Sequence, residues 1–148
     1  MKYFIWILGC AMNYSDAERM ATVFDNAGYQ RTFSEKEANL FIVISCSVRE
    51  SAILRIYGKV KDLKDRKNTG EKLITVLTGC VLEKDRKKLK NVFDIIVETK
   101  DIEKLPADIN HLNNFSIEDK SPDRDNLEYF KIKPHYQSNF KAFVPIST

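Results

Sequence analysis

Apolar and polar residues follow one another along this chain in blocks. Four six-residue runs are mostly apolar and rich in β-branched or aromatic side chains; they span residues 3–8, 40–45, 73–78 and 93–98. Strands that helices cover on both faces have this composition, so the runs favour a parallel sheet. A weaker run at residues 30–33 predicts one more short strand.

The segments between these runs have the three-to-four-residue spacing of amphipathic helices. After the first run, Ser15 and Glu18 fit a capping box, and Gly28 is placed to end the helix. Its apolar stripe consists of Met20, Val23, Phe24 and Ala27. Further helices are predicted over residues 48–67, 83–91 and 101–109. The predicted inner face of the longest one holds Ile53, Ile56, Tyr57, Val60 and Leu63, and its outer face holds Lys59, Lys61, Lys64, Arg66 and Lys67.

The resulting order is β-α-β, a short turn of helix, and then β-α-β-α-β-α. Right-handed crossovers turn this order into a doubly wound α/β fold with five parallel strands, flavodoxin-like or Rossmann-like, in the order 2-1-3-4-5. We expect this domain to span residues 1–109. Residues 110–141 lack apolar periodicity and predict a linker, and residues 142–148 predict the first strand of a truncated second domain.

The length and the net charge of the chain exclude few classes of function. The chain has 148 residues, and its net charge of +3 neither requires nor excludes a nucleic-acid partner. The first apolar run is too short to cross a membrane and lacks a cleavage site, so we expect a cytoplasmic protein without a membrane partner. The predicted helix at residues 83–91 is strongly basic, which is typical of a solvated face or of an RNA contact. Its basic residues are Lys84, Arg86, Lys87, Lys88 and Lys90.

The three cysteines each follow a predicted strand. Cys10, Cys46 and Cys80 come just after the first, third and fourth strands, which are neighbours in the predicted order. The carboxyl ends of parallel strands share one edge of a sheet, and neighbouring strands lie about 4.8 Å apart. We therefore expect the three thiols within about 10 Å of each other. Their odd number and the expected cytosolic location predict reduced thiols.

Several kinds of site could use such thiols. Clustered thiolates bind zinc, copper(I) or iron–sulfur clusters, whereas isolated free cysteines are often just small buried apolar residues. A structural zinc ion needs four ligands, and His111 and His135 lie in the tail, where we expect solvated side chains. An iron–sulfur cluster with one open iron fits the count of three. The loop GCAMNYSD at residues 9–16 is a poor phosphate cradle, which disfavours a flavin-binding flavodoxin.

Three motifs around the cysteines resemble a known family. Residues 9–13 (GCAMN), 46–52 (CSVRESA) and 78–80 (TGC) resemble the N-terminal domain of radical S-adenosylmethionine methylthiotransferases. The resemblance is greatest to the branch that makes 2-methylthio-N6-isopentenyladenosine in tRNA, whose motifs read GC-x-MN and C-S-V/I-R-E-x-A. It covers residues 1 to about 104, and faintly residues 142–148. One departure is Ile44-Ser45, where the family usually has Asn-Thr.

The resemblance implies that Cys10, Cys46 and Cys80 hold an auxiliary four-iron four-sulfur cluster, whose open iron delivers the inserted sulfur. It also implies a radical domain with a second cluster and S-adenosylmethionine, and a C-terminal domain that binds tRNA. Both lie outside these residues, so we expect this chain alone to be inactive. Asn13 would cap the following helix or contact the cluster. Arg49 would balance the cluster charge or pair with a surface carboxylate.

Two other functions stay open at this point. One is a stand-alone flavodoxin-like module that binds a metal or transfers electrons. The other is a methylthiotransferase that acts on a different substrate. A radical cluster motif C-x3-C-x2-C in the parent reading frame would favour the transferases over the module.

Overall fold

A five-stranded parallel sheet forms the centre of the computed structural model, which describes residues 1–112, 131–136 and 142. The strands are β1 (Lys2–Leu8), β2 (Gln30–Arg31), β3 (Leu40–Cys46), β4 (Ile74–Cys80) and β5 (Ile95–Ile96). All pairings are parallel, and the spatial order is β2-β1-β3-β4-β5. The predicted doubly wound α/β fold and its strand order are confirmed.

Helices cover both faces of this sheet and create two apolar cores. They are α1 (Ala11–Asn26), α2 (Glu50–Asn68), α3 (Glu83–Leu89) and α4 (Leu105–Leu112), with 3-10 turns at Glu35–Glu37 and Thr99–Lys104. Ile42 and Ile44 of β3 pack in the core under α1 and α4. Phe41 and Val43 of the same strand pack under α2 and α3. Because successive side chains alternate between the two faces, a strand in this position must be apolar throughout.

Helix α1 starts earlier than predicted. The capping box at Ser15 and Glu18 is wrong, because the helix begins at Ala11 with Cys10 as its N-cap, and both predicted capping residues are buried inside it. Cysteine is not among the residues that commonly cap helices, so the capping rule pointed to the next serine instead. The other end is as predicted, since Gly28 follows the helix with φ of 80°.

Other boundaries differ by a few residues. The two outer strands are shorter than predicted, because each pairs on one side only. The last predicted helix is a 3-10 turn followed by α4, which reaches Leu112. On α2, Tyr57 is 40% exposed and does not belong to the inner face. Lys59, Arg66 and Lys67, predicted on the solvated outer face, form ion pairs with side chains of loops at the amino ends of the strands.

Residues 131–136 lie against α1. Ile132 is buried in the core of that face, and the Thr22 hydroxyl donates to the Lys133 carbonyl at 2.7 Å. The His135 backbone N–H donates to the Glu18 carbonyl at 3.1 Å, and its Nδ1 lies 3.2 Å from Asp25 Oδ2. His135 is thus tied to α1, although its ring stays largely exposed.

The boundaries of the linker and of the second domain stay predictions. The strand predicted at residues 142–148 lies, apart from Ala142, outside the described residues. Within the described ranges, none of the helices has the length and apolar character needed to cross a membrane.

Candidate functional site

The structure places the three cysteines at the carboxyl edge of three adjacent strands. Cys46 and Cys80 are the last residues of β3 and β4 and are partners in the parallel register. Cys10 lies two residues beyond the end of β1, whose last residue Leu8 pairs with Ser45. All three are free thiols. The sheet topology therefore brings together residues that are far apart in sequence, while their role as ligands stays a prediction.

The thiols influence one another electrostatically. Cys46 is buried, Cys10 is partly buried and Cys80 is the most exposed. Desolvation of its thiol raises the pKa of Cys80, and electrostatic interactions with Cys46, Asp16 and Cys10 raise it further. These groups are thus close enough to repel each other when ionised. A positively charged group bound among them would relieve that repulsion.

The loop that carries Cys10 is fixed by Gly9 and Asn13. The Cys10 backbone N–H donates to Asn13 Oδ1 at 3.1 Å, and Asn13 is fully buried. A Cβ atom on Gly9 would lie 1.7 Å from that same oxygen, so any other residue at this position would displace the Asn13 side chain. Of the two roles predicted for Asn13, the structure shows the helix-capping one.

The loop that follows Cys46 contacts both of the other cysteine loops. Arg49 Nη1 donates to the Gly9 carbonyl at 3.0 Å. The Ser47 N–H donates to the Cys80 carbonyl at 2.9 Å, and the Leu82 N–H donates to Ser47 Oγ at 3.0 Å. These contacts were not predicted from the sequence. They join residues that are at least 33 positions apart, so no local sequence pattern indicates them.

Two buried hydroxyls at this edge lack a hydrogen-bond partner. Ser45 Oγ and Thr78 Oγ1 are fully buried, and neither is satisfied by any group in the described residues. Each such group costs about 1–3 kcal/mol. Gly79, between Thr78 and Cys80, has φ of 102°, and a Cβ there would lie 2.3 Å from the Ser45 carbonyl oxygen. The backbones of β3 and β4 therefore meet closely where the cysteines emerge.

A single metal ion and an iron–sulfur cluster make different demands on the positions of their ligands. In the part of the chain that the structure describes, no group of three or more His, Cys, Asp or Glu side chains could hold one metal ion. A mononuclear zinc site is thus not supported. Ligands of a cluster bind different irons and need not converge on one point. Its sulfur atoms accept hydrogen bonds such as the Thr78 hydroxyl, on the same sheet face as Cys46 and Cys80, could donate.

Comparison with known proteins gives the following similarities. Residues 2–98 match the family described as "Uncharacterized protein family UPF0004". A tRNA-2-methylthio-N(6)-dimethylallyladenosine synthase from Natranaerobius thermophilus is 30% identical over 152 residues, which cover 99% of this chain and 34% of that protein. Proteins of the same name from Tropheryma whipplei and Alkaliphilus oremlandii are 34% identical over 155 residues and 36% identical over 110 residues. Those alignments cover 99% and 71% of this chain, but 32% and 23% of the relatives.

Proposed function

Because the chain belongs to the UPF0004 family and resembles proteins named as tRNA methylthiotransferases, we propose that it is the auxiliary-cluster domain of such an enzyme. The predicted resemblance to this family is confirmed by the family match and by these relatives. The chain spans about a third or less of their length. The activity of the whole enzyme, insertion of a methylthio group at carbon 2 of N6-isopentenyladenosine in tRNA, is part of the proposal.

The observation that carries this proposal is the placement of three free thiols at one sheet edge. Cys10, Cys46 and Cys80 would hold a four-iron four-sulfur cluster, and three thiolates leave one iron without a protein ligand. When bound, that cluster supplies a free coordination position for the sulfur that is transferred. Ligand crevices of open α/β sheets form at this carboxyl edge, which supports the assignment.

The other residues of the site would keep the ligands in place and supply hydrogen bonds. Asn13 orients the Cys10 backbone, and the absence of a side chain at Gly9 makes room for it. The buried Thr78 hydroxyl, on the same sheet face as Cys46 and Cys80, supplies a donor that the described residues leave unused. Hydrogen bonds to cluster sulfurs are one means by which proteins set reduction potentials.

The remaining chemistry would belong to other parts of the enzyme. All three cysteines of this chain are at the sheet edge, so a second cluster that cleaves S-adenosylmethionine needs ligands from outside these residues. The tRNA would be bound through the full-length enzyme, in the cytoplasm. Residues 1–148 alone are expected to release no 5′-deoxyadenosine from S-adenosylmethionine when reconstituted and reduced. Release of more 5′-deoxyadenosine than from a cluster-free control would contradict the assignment of this step to residues outside the chain.

Anaerobic reconstitution of the chain with iron and sulfide tests the proposal. We expect about four irons and four acid-labile sulfides per chain, the stoichiometry of the cluster type. Zinc without sulfide would favour a metal-binding module of another class. Absence of both metals after reconstitution would leave the cysteines as small buried residues and would refute the proposal.

A further inference from the structure

We propose that residues 47–49, directly after Cys46, are a positioning element that sets the distances between the three cysteine loops. Neither Ser47 nor Arg49 needs to bind the cluster for this role. Each contacts the backbone beside one of the other two cysteines. The contacts form in the chain without any cluster, so they can be tested in the cluster-free protein. Only the measurement on the reconstituted chain rests on the proposed function.

Arg49 connects the Cys46 loop to the Cys10 loop. Its backbone is fixed, because its N–H donates to the Cys46 carbonyl at 3.1 Å and its carbonyl accepts from the Ala52 N–H at 2.9 Å. From this anchored start of α2, the guanidinium reaches the Gly9 carbonyl at 3.0 Å. That carbonyl belongs to the residue directly before Cys10.

Ser47 connects the Cys46 loop to the Cys80 loop. Its N–H donates to the carbonyl of Cys80 itself, and its hydroxyl accepts from the Leu82 N–H. The two bonds enclose Val81, so the backbone on both sides of that residue is held. One short segment thus contacts both neighbouring loops through backbone groups.

The Arg49 and Ser47 contacts differ in how strongly the position of the neighbouring cysteine loop depends on them. Cys46 and Cys80 are register partners, so the ladder of β3 and β4 already fixes their separation. Cys10 lies beyond the end of β1, where no ladder bond holds it against β3. The Arg49 contact supplies this missing connection. Loss of Arg49 should therefore disturb the Cys10 loop more than loss of Ser47 disturbs the Cys80 loop.

Amide hydrogen exchange of the cluster-free chain tests the inference without any cofactor. Arg49→Gln should speed exchange at residues 9–13 about fivefold, the change that follows loss of one ordinary hydrogen bond, and leave residues 80–82 unchanged. Ser47→Ala removes the acceptor of the Leu82 N–H and should speed exchange of that amide about fivefold, while residues 80 and 81 stay nearly unchanged because the ladder of β3 and β4 leads up to them. Arg49→Lys keeps a cationic donor and should restore most of the protection. Lys61→Gln, an exposed residue of α2 with the same charge change as Arg49→Gln, serves as the control.

A second measurement uses the reconstituted chain. The rate of iron loss to a chelator should rise about fivefold in Arg49→Gln and about twofold in Ser47→Ala, and stay unchanged in the control. Equal exchange at residues 9–13 in Arg49→Gln and Lys61→Gln would overturn the inference. If the unmodified chain binds no iron, the proposed function fails, and the exchange data alone still decide whether residues 47–49 hold the loops.

Discussion

The two edges of the sheet use polar groups in opposite ways. At the amino edge, Asp94 accepts hydrogen bonds from the Lys67 ammonium at 2.6 Å and from the Thr75 N–H and hydroxyl at 2.7 and 2.8 Å. Arg66 pairs with Glu71 and also donates to two loop carbonyls. At the carboxyl edge, the cysteine loops are joined by bonds to backbone groups and to one serine hydroxyl.

Polar groups that stabilise the fold and polar groups that are available to a ligand therefore lie at opposite ends of the strands. Charges at the amino edge satisfy one another, and they fix the loops that lead into β3, β4 and β5. The carboxyl edge retains three thiols and two buried hydroxyls with unused bonding capacity. Buried polar groups in folded proteins are nearly always hydrogen-bonded, so an unsatisfied one needs an explanation such as a functional role or a further bound group. The carboxyl edge is therefore where the proposed cluster would bind.

Gly79→Ala should destabilise the carboxyl edge by about 3 kcal/mol or more, because the new Cβ meets the Ser45 carbonyl at 2.3 Å in a left-handed conformation. Gly70→Ala is the matched control, since Gly70 also has a positive φ, of 84°, but no atom lies within 4 Å of its added Cβ. It should cost about 1 kcal/mol. Chemical denaturation of both variants measures the difference. Equal losses would show that β3 and β4 do not need their close approach.

Asp94→Asn should cost about 1–2 kcal/mol, since partial exposure screens the ion pair with Lys67. Burial opposes ionisation of Asp94, but the Lys67 and Thr75 hydrogen bonds and the Lys67 charge outweigh it and hold its pKa below the usual range. The stabilisation is thus present above the unfolded-state pKa of about 3.9 and is lost as pH falls through the folded-state pKa.

Unfolding free energies of the parent and Asp94→Asn, measured from pH 7 down to pH 3, follow this loss. The difference between the two proteins should shrink below about pH 4. A gap that stays constant over this range would mean that the Asp94 charge does not stabilise the amino edge.

The ion pairs at the amino edge occupy several basic residues of α2, so the exposed basic residues of α3 are the better candidates for an RNA contact. Lys59, Arg66 and Lys67 of α2 are held in ion pairs, whereas Lys84 and Lys88 of α3 are exposed. Helix α3 starts three residues after Cys80. Replacing both α3 lysines by Gln should weaken tRNA binding by the full-length enzyme about threefold. The slope of the logarithm of the binding constant against the logarithm of the salt concentration should fall by the equivalent of up to two phosphate contacts. Lys61→Gln with Lys64→Gln is the charge-matched control. An unchanged salt slope in the α3 variant would identify this helix as a solvated face.

The sequence predicted the sheet and the position of the cysteines because both follow from local patterns. Apolar runs mark buried strands, and a residue at the end of a parallel strand must lie at the shared edge. The start of α1 was missed because Cys10 is an unusual N-cap. The contacts of Arg49 with Gly9 and of Lys67 with Asp94 join residues 40 and 27 positions apart, so no local pattern indicates them.

The most direct test of a shared three-cysteine site is the iron and sulfide content of Cys10→Ser, Cys46→Ser and Cys80→Ser after anaerobic reconstitution. Each single change should remove most of the bound iron, because two thiolates on separate strands retain a cluster poorly. Thermal unfolding should change little, since the apolar cores lie beneath the edge. If one serine variant retains as much iron and sulfide as the parent chain, that cysteine is not a ligand and the three-cysteine site is wrong.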